Sequence, residues 1–379
     1  MDRRTVLRAG GLGLLGVAAG CGPRVGAVGR IRPTRRLVPV DASWDRVIRT
    51  TVGLRPYRPS GFVLRAERIG AKLLVHNYGH GGSGMSLSWG TGQLAAELAL
   101  EQPARRAAVV GCGVAGLTTA RQLQRRGFDV TIYAATVPPN TTSNMSLAGW
   151  TPTSGLVDAS RRTTAWDAQF RRAATIAYRE LQLLVGRGYG VSWLEGYALS
   201  DSPPNAGRTQ EGPPLLPAEL SPGSVVLGPG EHPFPTRYAT LRSSMRIEPS
   251  IYLDALVDDV RRAGAPIVIR RFERERDLAA LAEPVVVNCT GLGSRELIGD
   301  HELTPLKGQL TVLMPQPEVD YSTFGAATPA AGGFVHMQPR SDGIALGGTS
   351  VEGDWSLDPD EEARRRIVEA HVDLFSKMR

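Results

Sequence analysis

The chain has 379 residues, of which 42% are hydrophobic and 21% charged, so it is long enough for a globular core of two subdomains and is not disordered by composition. The formal net charge is +7 with a sequence pI of about 9.6, but neither a nucleic-acid-binding module nor a basic stripe interleaved with aromatic residues accompanies it. We therefore expect an arginine-rich solvated surface and no nucleic-acid partner.

The N-terminal residues are typical of an export signal. Arg3 and Arg4 precede an apolar run over residues 9–19, which is too short for a membrane span of roughly 20 residues. This pattern predicts a signal over residues 1–21, export by the twin-arginine machinery, and a location in the cell envelope or outside the cell. An N-terminal amphipathic helix is the weaker alternative.

The three cysteines give two separate expectations. Cys21 follows a run of small residues and resembles a lipoprotein processing site, although Ala18 replaces the usual large aliphatic residue. A lipid anchor at Cys21 and simple cleavage are both left open. Cys112 and Cys289 lie in segments expected to end strands, so we predict no structural disulfide.

The first part of the chain predicts a tether, a strand and a helix. Residues 22–40 mix Gly, Pro and Arg without periodicity, which is typical of a linker. Residues 71–79, AKLLVHNYG, predict a strand that leads into a glycine-rich loop. The sequence LSWGTGQLAAELALEQ, residues 87–102, then predicts a helix that stops before a proline.

The next elements predict a βαβ unit of the dinucleotide-binding kind. A strand enters the fingerprint GCGVAG at residues 111–116, and a helix and the strand FDVTIYA follow. Gly111 suits the tight turn, Gly113 the approach of the backbone to a pyrophosphate, and Gly116 the packing of helix on strand. The fingerprint alone is a weak signal, because such turns also occur without a nucleotide. The acidic residue expected about 20 residues further on is absent, since Tyr133 is followed by two alanines.

The chain resembles the D-amino-acid oxidase family of FAD-dependent enzymes from about Gly53 to Ser350. The motifs that carry this resemblance are HNYGHGGSGMSLSWG at 76–90, the fingerprint at 111–116, PPNTTSNMSLAGWTPT at 138–153, SIYLDALVDDVRRAGAPIVIRRF at 250–272, and EPVVVNCTGLGS at 283–294. In the family the histidine–glycine motif lies close to the C-terminus, whereas here it precedes the fingerprint. The resemblance therefore implies a circularly permuted chain.

The implied fold is α/β, with a Rossmann-like FAD-binding domain and a second, antiparallel-sheet substrate domain. The C-terminal residues, DPDEEARRRIVEAHVDLFSKM, predict a helix that in the family leads into a segment like residues 50–59. The expected domain bounds are an export signal at 1–21, a linker at 22–40, part of the substrate domain at 41–70, the FAD-binding domain at 71–187 with the permutation junction near 103–106, the substrate domain at 188–250, the FAD-binding domain at 251–300, and the substrate domain with the C-terminal helix at 301–379.

FAD is the cofactor that the resemblance implies. The implied cofactor-binding residues are Gly111, Gly113, Val114, Ala115, Gly116, Thr141, Thr142, Ser143, Phe272, Thr290, Gly291, His80, Gly81, Ser83, Gly84, Met85 and Ser86. The backbone amides of the 80–86 loop are expected to contact the flavin and to stabilise its anionic reduced form. Taken alone, the hydroxyl cluster at 141–143 is equally a polar turn. His76 and His80 do not have the spacing of metal ligands, and we expect no metal site.

Three further residues are implied at the substrate. Arg55 matches the family arginine that binds the substrate carboxylate, and the Gly82 carbonyl matches the acceptor of the substrate amine. His336 occupies the place of a family tyrosine, and Gly332 replaces a second one. His336 is either a replacement donor or a structural histidine.

The implied reaction is oxidative deamination of a D-amino acid by hydride transfer from its α-carbon to flavin N5. The products are a 2-oxo acid, ammonia and, if oxygen is the acceptor, hydrogen peroxide; another electron acceptor is an open alternative. A glycine- or sarcosine-type amine oxidase and a catalytically inactive flavin-binding envelope protein are the other hypotheses. A nicotinamide-dependent dehydrogenase is less consistent, because it leaves the 76–90 motif unexplained.

Overall fold

The structure is a computed structural model that describes residues 36–203, 214–325 and 334–379. Its α-helices are α1 (Gly84–Ala99), α2 (Val114–Gln124), α3 (Thr164–Leu184), α4 (Pro249–Arg262), α5 (Glu275–Ala279), α6 (Ser294–Leu297) and α7 (Glu361–Ser376). Its strands are β1 (Val47–Tyr57), β2 (Val63–Ile69), β3 (Lys72–Tyr78), β4 (Arg106–Val110), β5 (Asp129–Ala134), β6 (Val191–Ser200), β7 (Ser224–Leu227), β8 (Tyr238–Ile247), β9 (Ile267–Ile269), β10 (Val285–Asn288), β11 (Thr304–Leu313), β12 (Tyr321–Phe324), β13 (His336–Arg340), β14 (Gly343–Gly347) and β15 (Val351–Glu352). Short 3-10 helices lie at Trp44–Arg46, Gly81–Ser83, Thr142–Met145, Ala159–Arg161, Ala218–Leu220 and Gly291–Gly293.

The first of two sheets has six strands in the order β2-β3-β10-β4-β5-β9. All pairs from β3 to β9 are parallel, and β2 is antiparallel to β3 at one edge. Its central strands contain buried apolar runs, as in Val285, Val286 and Val287 of β10, because layers cover a parallel sheet on both faces. The helix α2 connects β4 to β5, so the expected βαβ unit is present.

The second sheet has nine strands, in the order β1-β11-β14-β13-β12-β6-β8-β7 with β15 on β11. Nearly all of its pairs are antiparallel, as the sequence predicted for the substrate domain. The exception is the pair of β6 and β12, which is parallel. The mixed α/β architecture with two sheets confirms the predicted fold class.

Three expected boundaries were wrong. The strand β2 was assigned with residues 41–70 to the substrate domain, but it pairs with β3 in the six-stranded sheet over its whole length. The linker was expected to run to residue 40, but Leu37 and Val40 are buried in the hydrophobic cluster that also contains Phe375. The helix expected to start at residue 87 begins at Gly84, inside the glycine-rich motif.

Parallel strands place their carboxyl ends at one edge of a sheet, and this determines where a ligand site forms. In the six-stranded sheet the segments that leave β3, β10, β4 and β5 therefore share one edge. These segments contain the 80–86 loop, the Thr290–Gly291 turn, the fingerprint and the hydroxyl cluster. The fold thus brings together four motifs, of which the 80–86 loop and the Thr290–Gly291 turn are more than 200 residues apart in sequence.

Candidate active site

A cavity of about 780 Å³ is lined by residues from both sheets. This volume lies in the range of cofactor and ligand sites. One side of the cavity is the carboxyl edge of the six-stranded sheet, and the other includes residues of β1, β11 and β13 in the nine-stranded sheet. The predicted cofactor motifs and the predicted substrate residues therefore meet in one place.

The fingerprint forms the turn from β4 into α2. Gly111 has φ +120°, a conformation that favours glycine, and Gly113 is the N-cap residue of α2. The Val114 N–H donates to Oγ of Ser143 at 3.0 Å, so the hydroxyl cluster holds the helix start. Gly116 does not line the cavity; a Cβ there would lie 2.8 Å from the carbonyl carbon of Gly111, so its role is packing.

The hydroxyl cluster and the Thr290 turn lie on the cavity wall. Thr141, Thr142 and Ser143 all line it, and Thr141 Oγ1 is hydrogen-bonded to Asn144 at 2.7 Å. Gly291 and Thr290 line it next to the end of β10, where Oγ1 of Thr290 donates to the Asn288 amide oxygen at 2.8 Å. These hydroxyls are therefore fixed by neighbouring polar groups.

The 80–86 loop requires glycine for geometric reasons. Gly81 has φ +52°, and a Cβ there would lie 2.9 Å from the Gly155 carbonyl carbon. The backbone of this loop therefore approaches the 154–155 segment more closely than any side chain allows. Five of the predicted residues line the cavity, and they are His80, Gly81, Gly82, Gly84 and Met85.

Unlike these five residues, Ser83 and Ser86 do not line the cavity. The Ser83 hydroxyl donates to the carbonyls of Thr151 and Ser154 at 3.2 and 3.0 Å. The Ser86 hydroxyl donates to the Gly149 carbonyl at 2.8 Å and accepts from the Thr151 N–H at 2.8 Å. Both serines therefore fasten the glycine-rich loop to the 149–154 segment.

His80 is buried and neutral near pH 7. Its Nε2 lies 3.0 Å from Oγ1 of Thr91, and its ring stacks on Phe62 with centroids 5.5 Å apart. Burial lowers the pKa of His80 to about 4. His76 lies outside the cavity, where its Nε2 contacts Glu67 at 2.7 Å. Both histidines support the loop and the strand that precedes it.

Arg55 extends from β1 into the cavity. Burial lowers the pKa of its guanidinium, and its hydrogen-bond acceptor is the Leu306 carbonyl at 3.5 Å. Among the described residues, no carboxylate lies within 4.0 Å of it. Arg58, three residues later, pairs instead with Asp300 at 3.0 Å and Glu302 at 2.6 Å. The two arginines are thus distinct, and Arg55 is the one left for an anion.

His336 is the first residue of β13 and lines the cavity near two aromatic rings. Its ring centroid is 5.7 Å from that of Phe334 and 6.3 Å from that of Phe324. Its Nδ1 is buried without a hydrogen-bond partner in the described part of the chain. Burial, and then the nearby His371 and Arg55, lower the pKa of His336 to about 3. The imidazole is therefore neutral. Gly332 lies outside the described residues.

The predicted Phe272 lines the cavity beyond the end of β5, where the expected acidic residue is replaced by Ala134 and Ala135. Sequence reasoning missed many other lining residues. They include Asn77, Tyr78, Met145, Leu147, Arg270, Arg271, Leu306, Leu310, Phe324, Phe334, Gln338, Thr349 and Ser350. Most of them are apolar or lie on strands of the nine-stranded sheet, so nothing in their local sequence distinguishes them from core residues.

Neither cysteine in the described residues has the features of a reactive thiol. Cys112 and Cys289 are buried and free, and burial raises the pKa of the Cys112 thiol to about 11. No group of three or more metal-ligating side chains is found in residues 36–203, 214–325 and 334–379. Across the same residues, none of the helices is both apolar and long enough to cross a bilayer.

The family comparison agrees with this geometry. The family described as DAO, FAD dependent oxidoreductase, matches residues 30–98 and 106–378. The chain is 31% identical to a D-amino-acid oxidase of Rubrobacter xylanophilus over 274 residues, which cover 72% of this chain and 78% of that protein. It is 33% identical to a D-amino-acid oxidase of Streptomyces coelicolor over 262 residues, covering 69% and 74%.

Other relatives are more distant. A human D-aspartate oxidase is 28% identical over 267 residues, covering 69% of this chain and 74% of that protein. Among solved structures, glycine oxidase from Geobacillus kaustophilus has a TM-score of 0.52 at 17% identity, covering 71% of this chain and 78% of the other. At that identity the likeness concerns the fold alone. The resemblance seen in the sequence is confirmed: the chain belongs to the DAO family of FAD-dependent oxidoreductases, and FAD is its cofactor.

Proposed function

We propose that this enzyme oxidatively deaminates D-amino acids, and that Arg55 binds the substrate α-carboxylate. The observation that carries the proposal is a partly buried guanidinium without a carboxylate partner in the described residues, in the same cavity as the fingerprint and the 80–86 loop. A charge removed from water is costly unless an opposite charge compensates it. A substrate carboxylate supplies that compensation, and the fork of an arginine binds it bidentately.

His336 supplies a second donor on the same wall in this proposal. Orphaned buried N–H groups are rarer than orphaned acceptors, so the unpartnered Nδ1 favours the tautomer with its proton on Nε2. Since the ring is neutral, it adds an N–H donor beside Arg55 without like-charge repulsion. This arrangement replaces the tyrosine hydroxyl that the family resemblance implies.

The remaining protein groups orient the substrate and the cofactor. The Gly82 carbonyl is the proposed acceptor for a neutral substrate amine, and the 80–86 loop presents backbone amides to the cofactor. FAD, when bound, supplies the two-electron acceptor. The substrate loses a hydride from its α-carbon and a proton from its amine, and the imino acid then takes up water to give a 2-oxo acid and ammonia. If oxygen reoxidises the enzyme, hydrogen peroxide is the other product.

Anaerobic bleaching of the bound flavin tests the proposal directly. The purified protein is mixed without oxygen with D-amino acids, their L-enantiomers, glycine and sarcosine, and the flavin absorbance is followed. Bleaching by D-enantiomers supports the assignment. Bleaching by glycine or sarcosine alone would move it to the amine-oxidase alternative, and a bound flavin that nothing reduces would indicate an inactive flavin-binding protein.

Circular permutation is part of the proposal. The family match is interrupted between residues 98 and 106, where α1 ends and β4 begins. At the other join, Oη of Tyr321 donates to the Val38 carbonyl at 2.9 Å and contacts Sδ of Met378 at 3.7 Å. The segment near residue 38 and the end of α7 are therefore neighbours. A short connection between them gives the motif order that the family resemblance implies.

Export by the twin-arginine route also remains a proposal, because its residues lie outside the described ones. Arg3 and Arg4 before an apolar run support it. Replacing both arginines by lysine and fractionating the cells tests it. Protein that moves from the envelope or medium to the cytoplasm supports export, whereas an unchanged distribution contradicts it. Mass analysis of the exported protein separates a lipid at Cys21 from simple cleavage.

A further inference from the structure

The far end of the cofactor cavity is built differently from a common dinucleotide site. In such sites the pyrophosphate binds at the helix that follows the first strand, and an acidic residue at the end of the second strand binds the adenosine ribose. Here the second strand, β5, ends at Ala134, and Ala135 and Thr136 follow it on the cavity wall. The side chains that follow β5 on this wall supply no carboxylate for the ribose hydroxyls.

The strand beside β5 supplies other groups at this place. β9 pairs in parallel with β5, Ala134 opposite Ile269, and the Arg270 N–H donates to the Ala134 carbonyl at 2.9 Å. The residues after β9, Arg270 and Phe272, both line the cavity. The backbone pairing therefore fixes Arg270 on the cavity wall beside the end of β5, where a dinucleotide site would hold the adenosine ribose.

The side chains at this end form an aromatic and cationic stack. The Arg270 guanidinium carbon lies 4.7 Å from the centroid of the Phe272 ring. Tyr133 meets the same ring edge-on, with centroids 5.9 Å apart and planes at 89°, and its hydroxyl donates to Glu283 at 3.2 Å. A planar guanidinium held over an aromatic ring loses little freedom when a second flat group stacks on it.

Arg270 is free to meet a ligand. It is exposed, it lines the cavity, and within the described residues it forms no ion pair with a carboxylate. Guanidinium planes and aromatic rings are surfaces on which nucleic-acid bases stack. A base at this position would gain stacking where the hydrogen bonds of a carboxylate to the ribose are missing.

We propose that Arg270, packed over the Phe272 ring, is the stacking platform for the adenine ring of FAD and replaces the missing ribose carboxylate as the anchor of the adenosine half. This goes beyond the proposed reaction, because it concerns the end of the cavity away from Arg55 and His336. It holds whatever the substrate is, and its test is carried out without substrate.

The experiment measures the dissociation constants of FAD and FMN for the full-length protein after its flavin has been removed. FMN shares the flavin but lacks the adenosine part. Arg270→Ala removes the platform, and Arg270→Lys keeps the charge but not the plane. We expect both variants to raise the dissociation constant of FAD about tenfold, in line with the free energy of base stacking. The dissociation constant of FMN should stay unchanged. Arg276→Ala, a charge-matched change of an exposed arginine on α5, is expected to change neither constant.

Three outcomes would overturn the proposal. Unchanged FAD affinity in Arg270→Ala means that the base does not use this side chain. Equal weakening of FAD binding and FMN binding means that the variant disturbs the cavity as a whole. Full FAD affinity in Arg270→Lys means that a point charge suffices and that stacking plays no part. Failure of the D-amino-acid assay alters none of these measurements, so the two proposals fail separately.

Discussion

The imidazole of His336 lies over Gly347 of the neighbouring strand β14, where a Cβ would come within 2.6 Å of its Nε2. Arg55 has the same relationship with Gly308 of β11, where a Cβ would lie 2.7 Å from its Cζ. The strands β11 and β14 are paired, so two glycines on adjacent strands provide the space for both polar side chains. The wall of the proposed substrate site therefore depends on Gly308 and Gly347, which have no side chain that could contact the substrate.

Gly347→Ala should displace the His336 ring and weaken substrate binding while FAD stays bound. Overpacking of this kind typically costs about 1–3 kcal/mol, so we expect KM for the best D-amino acid to rise about tenfold or more. Steady-state kinetics and the flavin-to-protein ratio measure the two effects. Gly223→Ala is the matched control, because a Cβ at residue 223 meets nothing within 4 Å. A kinetic profile of Gly347→Ala identical to that of the control would contradict the role assigned to this wall.

Arg55→Ala should raise KM by about 100-fold, because truncating one partner of a buried charge pair typically costs 2–5 kcal/mol. Arg55→Lys should recover only part of this loss, since an ammonium lacks the bidentate fork. Flavin content should stay unchanged in both variants. Arg68→Ala on the exposed face of β2 serves as the charge control. Wild-type kinetics in Arg55→Ala would refute the carboxylate-binding assignment.

The cofactor side of the site was predictable because its requirements are local. Gly111 must adopt a positive φ and Gly81 must admit the backbone of another segment, and both needs are met by residue type alone. Arg55 was found for another reason, since its surrounding motif resembles that of a known family. The family resemblance then brought together segments that composition and periodicity could not have joined.

The errors arose where pairing between distant segments decides the outcome. Ser83 and Ser86 lie in the predicted loop, but their hydroxyls donate to carbonyls 71 and 63 residues later, a partnership that local sequence does not show. The strand β2 follows β1 directly, yet it joins the other sheet because its partner is β3. Arg270 was missed for the same reason, since its position depends on the pairing of β9 with β5.

Buried histidines should make the protein less stable as the pH falls. Burial lowers the pKa of His371 from 6.5 to about 4, so the unfolded chain binds this proton before the folded one does. Stability is therefore complete above pH 6.5 and is lost progressively as the pH falls from 6.5 toward 4. At 1.36 kcal/mol per pH unit, protonation linked to this residue alone should lower the free energy of unfolding by about 2 kcal/mol between pH 7.5 and 5.

The variant His371→Phe isolates this effect. The histidine stacks on Phe375 and lies outside the cavity, and the phenylalanine keeps a planar ring without a titrating group. The free energy of unfolding, measured with urea at saturating FAD, should fall between pH 7.5 and 5 by about 2 kcal/mol less in the variant than in the wild type. Equal losses in the two proteins would show that His371 does not remain neutral in the folded state.

Reordering the chain should preserve the fold if the permutation is real. A chain that runs from Arg106 to Arg379, then through a short glycine–serine linker into residues 37–102, keeps every described strand and helix intact. A few linker residues suffice at the new join, because one atom of Tyr321 contacts both Val38 and Met378. We expect one FAD per chain and a melting temperature within a few degrees of the original.

A control chain with the same linker but cut within α3, whose Ala173 and Ala174 are fully buried, should fail to bind FAD. If both reordered chains lose FAD, the ends near Val38 and Met378 cannot be joined without disturbing the fold, and the permutation proposal falls.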